Sequence, residues 1–181
     1  VYDAGAAYFY QLESNGSTTY LSKVTAPDKW SSDWFGYSVS QSGNILAVSS
    51  HHSDPDGLNN AGAAYLYTLE ANGSATYLTK VTAPDKAAND WFGNSVSQSG
   101  NILAVGAQGS DSYTGAAYLY QLEADGTATY LTKITANDRA VGDYFGQSVS
   151  QFGNILAVGA KGAPYLYKLE ANGSATYLTN L

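Results

Sequence analysis

The chain repeats one phrase of sequence three times. Nearly the same residues stand at 33–50, 90–107 and 143–160, and every copy contains Phe-Gly, Ser-Val-Ser-Gln and Asn-Ile-Leu-Ala-Val. The phenylalanines of the Phe-Gly pairs are 57 and 53 residues apart. A period of this length is typical of repeat architectures, in which one unit cannot bury its apolar face alone and must stack on its neighbours. The repeat therefore restricts the chain to a fold built from stacked, similar units.

Each repeat has the pattern of four short strands, which read FGNSVSQS, NILAVGA, GAAYLYTLE and ATYLTKVTA. The third and fourth alternate in polarity, and this period of two indicates strands with two unlike faces. The second is almost wholly apolar, which is typical of a strand that is covered on both faces. The best helical candidate, PDKAAND, is long enough for a single turn, so we expect no helix longer than about two turns.

Short turns separate the predicted strands. Ser-Gly-Asn at residues 42–44 joins the first strand tightly to the second. Between the third and fourth strands, the chain has Asn-Gly at Asn15, Asn72 and Asn172, and Asp-Gly at Asp125. Both dipeptides tolerate positive φ angles, so the sequence predicts type I′ hairpin turns at these places.

Four-stranded antiparallel units in tandem are the blades of a β-propeller, so the predicted fold class is all-β, with about 14 strands. Counting strands from the start gives a half-blade in residues 1–26 and three blades in residues 27–83, 84–136 and 137–181. Closed propellers usually have about four to eight blades. About three and a half blades leave an unpaired edge at each end, and such edges are templates for pairing with another chain. Either the segment was cut from a longer propeller, or two or more copies complete each other. For the second case we predict self-association, as a homodimer or a higher oligomer, with the half-blade at the contact.

The repeated motif resembles the FG-GAP repeat, the blade unit of integrin α-subunit propellers and of many bacterial surface proteins. The resemblance rests on Phe-Gly at Phe35, Phe92 and Phe145, and on Val-Gly-Ala at Val105 and Val158. The first copy departs from the motif, with Ser49 and Ser50 in place of Gly-Ala. The resemblance implies a propeller that is secreted or displayed on a cell surface. It says little about activity, because propellers host many unrelated functions.

The resemblance also raises the question of calcium. In integrins, the turn between strands one and two often carries a loop of the form D-x-D-x-D-G-x-x-D, whereas the turn here reads SQSGN or SQFGN and has no carboxylate. Calcium takes about six to eight oxygen ligands, several of them charged. The family's calcium sites therefore do not carry over to residues 40–44, 97–101 or 150–154.

The loop at residues 51–62, HHSDPDGLNNAG, is the remaining metal candidate. Four of its side chains offer oxygens to calcium: Asp54, Asp56, Asn59 and Asn60. Asp-x-Asp-Gly is half of a calcium-loop pattern, and the alternative is a turn cluster of Pro, Gly and Asn without a metal. The loop also holds both histidines, His51 and His52. Adjacent side chains on an extended chain point to opposite sides, which makes the two a poor pair for one metal.

An aspartate and an aromatic residue precede Phe-Gly in every copy: Asp33 and Trp34, Asp90 and Trp91, Asp143 and Tyr144. One interpretation is a sugar site, in which CH groups stack on the ring and hydroxyls bond to the acid. A threefold copy of such a site would suit a multivalent lectin. The other interpretation is structural: the aspartate caps the turn into strand one, and the aromatic ring packs between blades.

The composition narrows the function classes. The formal net charge is −7 and the eight Lys and Arg residues are scattered, which disfavours nucleic acid and anionic membranes as partners. No apolar run approaches the roughly 18 residues of a membrane-spanning helix. Cysteine is absent, and no nucleophile, base and orienting acid can be named together. An enzyme is therefore the least favoured class.

We interpret the chain as a non-catalytic, lectin-like binding or adhesion module, which recognises glycans or a surface protein through its blade loops. The alternative is a self-assembling structural repeat protein. Calcium is the one cofactor that the residues suggest. The sequence starts without a methionine or a signal peptide, so we interpret it as a mature or excised segment of a secreted or surface protein.

Overall fold

A computed structural model describes residues 2–181, and its regular structure is almost entirely β-strand. Fourteen strands follow one another along the chain. The helical segments in this part of the chain are single turns at Pro55–Gly57 and Ser110–Tyr113. The predicted all-β fold without a long helix is confirmed. Within residues 2–181, no helix has the length and apolar character that crossing a membrane would require.

The strands form one two-stranded sheet and three four-stranded sheets, all antiparallel. The half-blade consists of β1 (Ala7–Leu12) and β2 (Thr18–Val24). Blade 1 consists of β3 (Val39–Ser42), β4 (Ile45–Ser50), β5 (Ala63–Leu69) and β6 (Ala75–Val81). Blade 2 consists of β7 (Phe92–Ser99), β8 (Ile102–Ala107), β9 (Ala116–Leu122) and β10 (Ala128–Ile134). Blade 3 consists of β11 (Ser148–Phe152), β12 (Ile155–Gly159), β13 (Pro164–Leu169) and β14 (Ala175–Asn180).

In every blade, the order of the strands in space follows their order in the chain, as in a propeller blade. The predicted architecture of about three and a half blades is therefore confirmed. Residue 1 of the predicted half-blade lies outside the described residues.

The turns between the third and fourth strands are not of the predicted type I′. Gly16 N donates to Glu13 O at 2.9 Å, and Glu13 N donates to Ser17 O at 2.8 Å. In this turn only Gly16 has a positive φ, of 82°. The turn is therefore a type I turn closed by a glycine bulge, because the predicted type I′ turn needs two residues with positive φ. The Asn15 side chain accounts for the difference: its Oδ1 accepts from the N–H and the hydroxyl of Ser17 at 2.9 and 2.7 Å.

The hydrophobic core lies between the blades. Three clusters of buried side chains each join one blade to the next. Between blades 1 and 2, Leu66 and Val81 of blade 1 pack in one cluster with Phe92, Leu103 and Tyr118 of blade 2. Burying one large apolar side chain contributes about 1.5–3 kcal/mol. The stacking of blades, rather than any single sheet, therefore stabilises the fold.

A backbone contact fixes how each blade meets the next. Gly62, just before β5, forms a parallel bridge with Phe92 at the start of blade 2. The bridge leaves no room for a side chain, because a Cβ on Gly62 would lie 2.1 Å from the carbonyl O of Phe92. The φ of Gly62, +84°, is also one that glycine adopts at little cost. The same bridge occurs at two other joins: Gly5 with Phe35, and Gly115 with Phe145.

Serine hydroxyls connect the innermost strands of neighbouring blades. The Oγ atoms of Ser38, Ser40 and Ser42 accept from the amides of Val96, Gln98 and Gly100 at 3.1, 2.8 and 3.0 Å. The Oγ atoms of Ser95, Ser97 and Ser99 accept from the amides of Val149, Gln151 and Gly153 at 3.1, 2.9 and 3.0 Å. An innermost strand has no strand on its inner side, so these amides need another acceptor. This need explains the Ser-x-Ser-x-Ser pattern of strand one.

Replacing one of these serines tests the contact. Ser97→Ala removes the acceptor of the Gln151 amide, and we expect it to lower the free energy of unfolding by about 1–2 kcal/mol. Ser40→Ala should cost about as much. Ser150→Ala is the matched control, because Ser150 has the same place in blade 3 and accepts no such bond within residues 2–181; it should change stability by less than about 0.5 kcal/mol. Urea unfolding measures all three, and equal losses would contradict the role of the hydroxyls.

Candidate functional site

All the candidate residues lie in loops at one end of the blades, which we call the loop face. It consists of the lead-in turns, which enter strand one of each blade, and the loops between strands two and three. Hydrogen bonds join each lead-in turn to the loop of the preceding blade. Trp91 N donates to Asn60 O, and Phe92 N donates to Ala61 O, both at 3.0 Å. The loops are therefore held by the same joins that stack the blades.

Each candidate aspartate turns inward and caps its lead-in turn. Asp33 Oδ2 accepts from the N–H of Trp30 at 2.6 Å, and Asp90 Oδ2 accepts from the N–H of Ala87 at 2.8 Å. Asp143 makes the corresponding bond in the third copy. Asp33 and Asp90 are only 4% and 5% exposed. Their carboxylates serve the turn and do not face solvent.

The charge of these aspartates is not what the turn requires. Burial raises the pKa of Asp33 and of Asp90 above the ordinary value, although the hydrogen bond from the backbone N–H works in the opposite direction. A carboxyl whose pKa is raised by folding destabilises the fold when it is charged, at pH values above that pKa. The turn therefore depends on the acceptor oxygen rather than on the negative charge.

The aromatic residue after each aspartate has a left-handed backbone. The φ angle is 56° at Trp34, 54° at Trp91 and 53° at Tyr144. Bulky L-residues seldom adopt this region, at a cost of about 1–2 kcal/mol each. Glycine would remove that cost, yet all three copies hold an aromatic ring there. Strain that is kept at a repeated position motivates a functional hypothesis.

Trp34 belongs to a cluster of four rings on the loop face of blade 1. Its indole stacks on the imidazole of His52, with centroids 4.5 Å apart and planes at 9°. The Tyr37 ring lies 6.2 Å from the Trp34 ring and 3.9 Å from the ring of His51. Trp34 and Tyr37 are 45% and 55% exposed. The cluster therefore presents an aromatic surface to solvent.

The two histidines lie side by side, so the prediction that their side chains point apart is wrong. Their ring centroids are 4.3 Å apart. His51 and His52 form a turn after β4, where the alternation of an extended strand does not apply. His51 is 5% exposed and its Nδ1 is buried without a hydrogen-bond partner. Burial, together with the neighbouring His52, lowers the pKa of His51 to about 4, so this ring is uncharged at neutral pH.

Trp91 and Tyr144 lie in a second cluster, where Tyr113 joins them. The ring of Tyr113 is 5.7 Å from that of Trp91 and 5.9 Å from that of Tyr144, between centroids. Tyr113 also has a positive φ, of 66°, and its carbonyl O accepts from the N–H of Tyr144 at 3.2 Å. The Trp91 side chain is half-buried, and its Nε1 is buried without a partner. The fold thus brings together two of the three predicted aromatic residues and leaves Trp34 in the first cluster.

A groove of about 430 Å³ opens beside Tyr113, between the lead-in turn of blade 2 and the loop after β8. Its volume lies in the range of small-ligand sites, about 300–1,000 Å³. Asn89 lines it with hydrogen-bonding groups, and Asp85 and Asp111 line it with carboxylates. Both carboxylates pair with Lys133, at 2.7 and 3.1 Å. Arg139 Nη1 lies 3.6 Å from Asp111, and Asp90 also lines the groove. The groove therefore combines one ring with acidic groups that are partly paired with cations.

The candidate calcium ligands form contacts that stabilise their own loop. Asp54 Oδ1 accepts from the N–H of Asn60 at 2.7 Å, and Asp56 pairs with Lys86 of the next lead-in turn at 3.0 Å. The carbonyl O of Asn59 accepts an N–H from the same turn at 2.8 Å. Within residues 2–181, no three side chains of His, Cys, Asp or Glu form a group that could hold a metal ion. Calcium binding at this loop stays a prediction.

The sequence analysis missed Tyr37 and Tyr113. Tyr37 follows Phe-Gly in the first copy alone, and Tyr113 lies in a loop whose length varies between copies. Neither stands at a repeated position, so the repeat gave no signal for them. The available signal was compositional: tyrosine accounts for 16 of the 181 residues, more than strand cores require.

Two substitutions at Asp90 separate its oxygen from its charge. Asp90→Asn keeps an acceptor for the Ala87 amide and removes the buried charge, so we expect the melting temperature at pH 7 to stay the same or rise. Asp90→Ala removes the acceptor and should cost about 1 kcal/mol, as the loss of a capping side chain does. Thermal unfolding of both variants tests this. A larger loss for Asp90→Asn than for Asp90→Ala would show that the charge matters.

The buried histidine predicts a loss of stability in mild acid. The unfolded chain binds a proton at His51 near pH 6.5 and the folded chain at about pH 4, so stability is full above pH 6.5 and falls between these values. The slope contributed by one group is at most about 1.4 kcal/mol per pH unit. His51→Gln, which copies Gln108 at the same place in blade 2, should flatten that part of the profile. Melting temperatures from pH 7 to pH 4 measure it; an unchanged slope in the variant would contradict the assignment.

Comparisons with known proteins agree with this architecture. A model of the family described as FG-GAP repeat matches residues 19–67, 76–120 and 129–176. The crystal structure of a protein from Lactobacillus plantarum superposes with a TM-score of 0.61 at 15% identity, over 99% of this chain and 52% of that one. At this identity the likeness concerns the fold alone, and the chain spans about half the length of that protein.

No curated protein sequence matches the chain. The family model, in contrast, matches three successive segments that together make up well over half of the residues. Each segment contains a Phe-Gly pair whose phenylalanine forms the bridge between two blades. The chain belongs to the FG-GAP repeat family.

Proposed function

We propose that the chain is a non-catalytic recognition module whose loop face binds glycans. FG-GAP repeats are typical of extracellular and cell-surface proteins, and a secreted or surface location is part of the proposal. A protein displayed on a surface is the other partner that such a face suits. Propellers serve as scaffolds for binding loops, so the proposal rests on the residues of the loops.

The observation that carries the proposal is the left-handed aromatic residue at the same place in three copies. Strain of this kind persists where the surroundings hold it, and it is often found at ligand sites. Packing does not account for it at Trp34, whose side chain is 45% exposed. A ring that is fixed by its backbone and by stacked neighbours is ordered before binding. Binding then costs less conformational entropy.

Sugars fit the chemistry of this face. The CH groups of a pyranose stack on aromatic rings, and its hydroxyls need several hydrogen-bonding groups nearby. The groove beside Tyr113 supplies both: one aromatic ring, and carboxylate and amide groups that can bond to hydroxyls, two of them already paired with Lys133. The rings around Trp34 offer a second place of the same kind. Two sites on one face would raise the affinity for a branched or clustered glycan.

A second candidate function is a self-assembling structural repeat protein. The observation that favours it is the state of the two end blades. Tyr8 of the half-blade is 54% exposed, whereas Tyr65, at the same place in blade 1, is 1% exposed. At the other end, Phe152 of β11 is 89% exposed. Aromatic surface of this kind supports association with another molecule.

A glycan array with matched tryptophan variants tests the first candidate. We expect the protein to bind a reproducible set of glycans, and Trp34→Ala to weaken the binding at least about tenfold while the fold is kept, because its ring is half exposed. Trp30→Ala is the control, since Trp30 is 73% exposed and lies outside both clusters; it should bind as the parent does. No glycan bound by the parent, or equal losses in both variants, would refute glycan recognition by these rings.

Trp91→Ala separates recognition from packing in the second cluster. Trp91 is half-buried against Tyr113, so we expect the variant to lose about 3 kcal/mol of stability, as substitutions of large core aromatics do. Tyr113→Ala removes the more exposed ring and should lose glycan binding with a smaller loss of stability. Chemical unfolding and the glycan array are applied to both. Full glycan binding by Tyr113→Ala would exclude the groove from the site.

A further inference from the structure

The short turns that join strand one to strand two and strand three to strand four lie at the end of the blades opposite the loop face, and we call this end the turn face. A groove opens there between blades 1 and 2, with a volume of about 700 Å³. A second groove, of about 690 Å³, opens between blades 2 and 3. Both volumes lie in the range of small-ligand sites, about 300–1,000 Å³.

The two grooves have the same apolar walls. Three aliphatic side chains, which are half-buried, line each of them at matching places: Ile45, Leu78 and Leu122 in the first groove, and Ile102, Leu131 and Leu169 in the second. Blade 2 closes against blade 1 at the outer side of the first groove, where a Cβ on Gly126 would lie 3.0 Å from Leu78 Cδ2. The walls therefore suit a ligand with an apolar body.

A buried amide of the first groove has an oxygen without a partner. Gln98, on the innermost strand β7, lines this groove and is 7% exposed. Its Nε2 donates to the carbonyl O of Gly100 at 3.2 Å, which fixes the orientation of the amide, and its Oε1 is buried and accepts no hydrogen bond within residues 2–181. Gln151 has the same bond and the same unpartnered oxygen in blade 3. A buried acceptor without a donor costs free energy, so this oxygen favours a ligand with a hydroxyl or an N–H.

Two acidic side chains border the outer part of the first groove. Glu123 and Asp125 lie in the turn after β9, and both are exposed. In the described part of the chain, neither forms an ion pair with a lysine or an arginine. The hydroxyl and the N–H of Thr127 donate to one oxygen of Asp125, at 2.6 and 2.9 Å, and these bonds hold the pKa of Asp125 below its ordinary value. This part of the groove therefore attracts a cation.

The second groove has the same walls without the free acids. Glu170 stands at the place of Glu123, but it pairs with Lys168 at 3.1 Å. Asn172 stands at the place of Asp125. The charge of the second groove is thus neutralised within the groove itself, whereas that of the first groove is not. The difference between two otherwise equal grooves indicates that only the first is suited to a cation.

The unpartnered oxygen and the acids are separated across the groove. Gln98 of β7 faces Leu103 of β8, which faces Tyr120 of β9, so the turn after β9 lies two strand spacings away from Gln98. Two spacings amount to about 10 Å. A ligand that reaches both places needs a hydrogen-bond donor at one end and a cation at the other. An aromatic ring with a short alkyl chain has a suitable length for the body between them.

An ammonium group suits this pair of acids better than a metal ion does. Calcium takes about six to eight oxygen ligands, several of them charged. Within residues 2–181, no three side chains of His, Cys, Asp or Glu form a group that could hold a metal ion. An ammonium group is satisfied by about three acceptors, and the rest of an organic cation can pack on the aliphatic walls.

We propose that the first groove binds a small amphipathic amine, which has an ammonium group at one end, an apolar body, and a hydroxyl or N–H donor at the other end. The ammonium group bonds to Glu123 and Asp125, the body packs on Leu78 and Leu122, and the donor bonds to Gln98 Oε1. The net charge of −7 also favours the approach of a cation. This site lies on the face opposite the aromatic clusters, so it is separate from the proposed glycan sites.

Tyramine is the probe, because it has a phenol hydroxyl, an aromatic body and an ammonium group. We expect the chain to bind one tyramine, and the amide NMR signals of Leu122 and Gly126 in the groove to shift. Phenethylamine lacks the hydroxyl, and tyrosol has an alcohol in place of the ammonium group; each should bind at least about fivefold more weakly, as the loss of one hydrogen bond predicts. No binding at millimolar concentration, shifts confined to the loop face, or equal affinity for tyrosol would overturn the proposal.

A pair of double variants separates the local acids from the charge of the whole chain. Glu123→Gln with Asp125→Asn should weaken tyramine binding at least about tenfold, as the loss of charge-assisted hydrogen bonds does. Glu70→Gln with Glu170→Gln is the matched control, because it removes the same charge from the corresponding turns of blades 1 and 3; it should bind as the parent does. Isothermal titration calorimetry measures both. Equal weakening would mean that only the net charge attracts the amine, and would overturn the site.

Gln98→Met tests the buried oxygen, since methionine has a similar length and is only a weak acceptor. The preference for tyramine over phenethylamine, about fivefold or more in the parent, should disappear in this variant. A ratio of two affinities on the same variant does not depend on the folded fraction, so a change in stability leaves the result readable. A preserved preference would overturn the contact with Gln98.

The second groove allows the cation site to be built where it is absent. Lys168→Gln with Asn172→Asp gives that groove the residues that stand at Gln121 and Asp125 in the first. We expect this variant to bind a second tyramine, with new shifts at Leu169 and Gly173, while its affinity for tyrosol stays the same. A stoichiometry that remains at one would overturn the assignment of the free acids as the groups that select the amine.

Discussion

The architecture depends on a backbone contact that excludes any side chain. Gly62 approaches Phe92 so closely that a Cβ would lie 2.1 Å from its carbonyl O, and the same bridge occurs at every join between blades within residues 2–181. The contact sets the distance between blades, and the phenylalanine ring packs on the tyrosines of its own blade, as Phe92 packs on Tyr118 at 5.5 Å. The two most conspicuous parts of the motif are Phe-Gly and the glycine before Ala-Ala-Tyr. They are thus the two partners of one backbone interaction. Their spacing along the chain is constant, because the glycine precedes its phenylalanine by 30 residues at all three joins.

That constraint also shapes the loop face. The residue before each phenylalanine is pulled into a left-handed conformation, since its own N–H must bond to the preceding loop, as Trp91 N does to Asn60 O. An asparagine or a glycine would satisfy the backbone at lower cost. Aromatic residues at these places, Trp34, Trp91 and Tyr144, lower the stability of the fold. The same backbone conformation fixes the direction of the three rings. In the proposed function, recognition by ordered rings is the benefit that offsets such a cost.

The sequence predicted the parts of the structure that follow from local pattern. The alternating polarity of ATYLTKV and its copies, together with the short turns between strands, predicted the strands and their order. Patterns along one strand carry no information about the angle between blades, so the serine-to-amide contacts of Ser40 and Ser97 were not foreseen. Two local rules also failed for local reasons. The side chain of Asn15 bonds to Ser17 and replaces the expected turn type. His51 and His52 lie in a turn just after β4, where the alternation of an extended strand does not apply.

Near-identity of the repeats makes the blades stack readily, but it also makes their faces interchangeable. A chain of identical blades could pair in any register with another copy, so its specificity must come from the positions where the copies differ. Two of those positions lie in blade 3: Asn180 replaces lysine in the last outer strand, and Phe152 replaces the serine that stands at Ser42 and Ser99. Asn180 weakens the hold of blade 3 on its own aspartate without disturbing a buried contact, because the side chain is exposed. A single polar difference of this kind costs the isolated chain little. Single differences of this kind between otherwise identical repeats are where a repeat protein can set a preference among contacts that its shape alone allows equally.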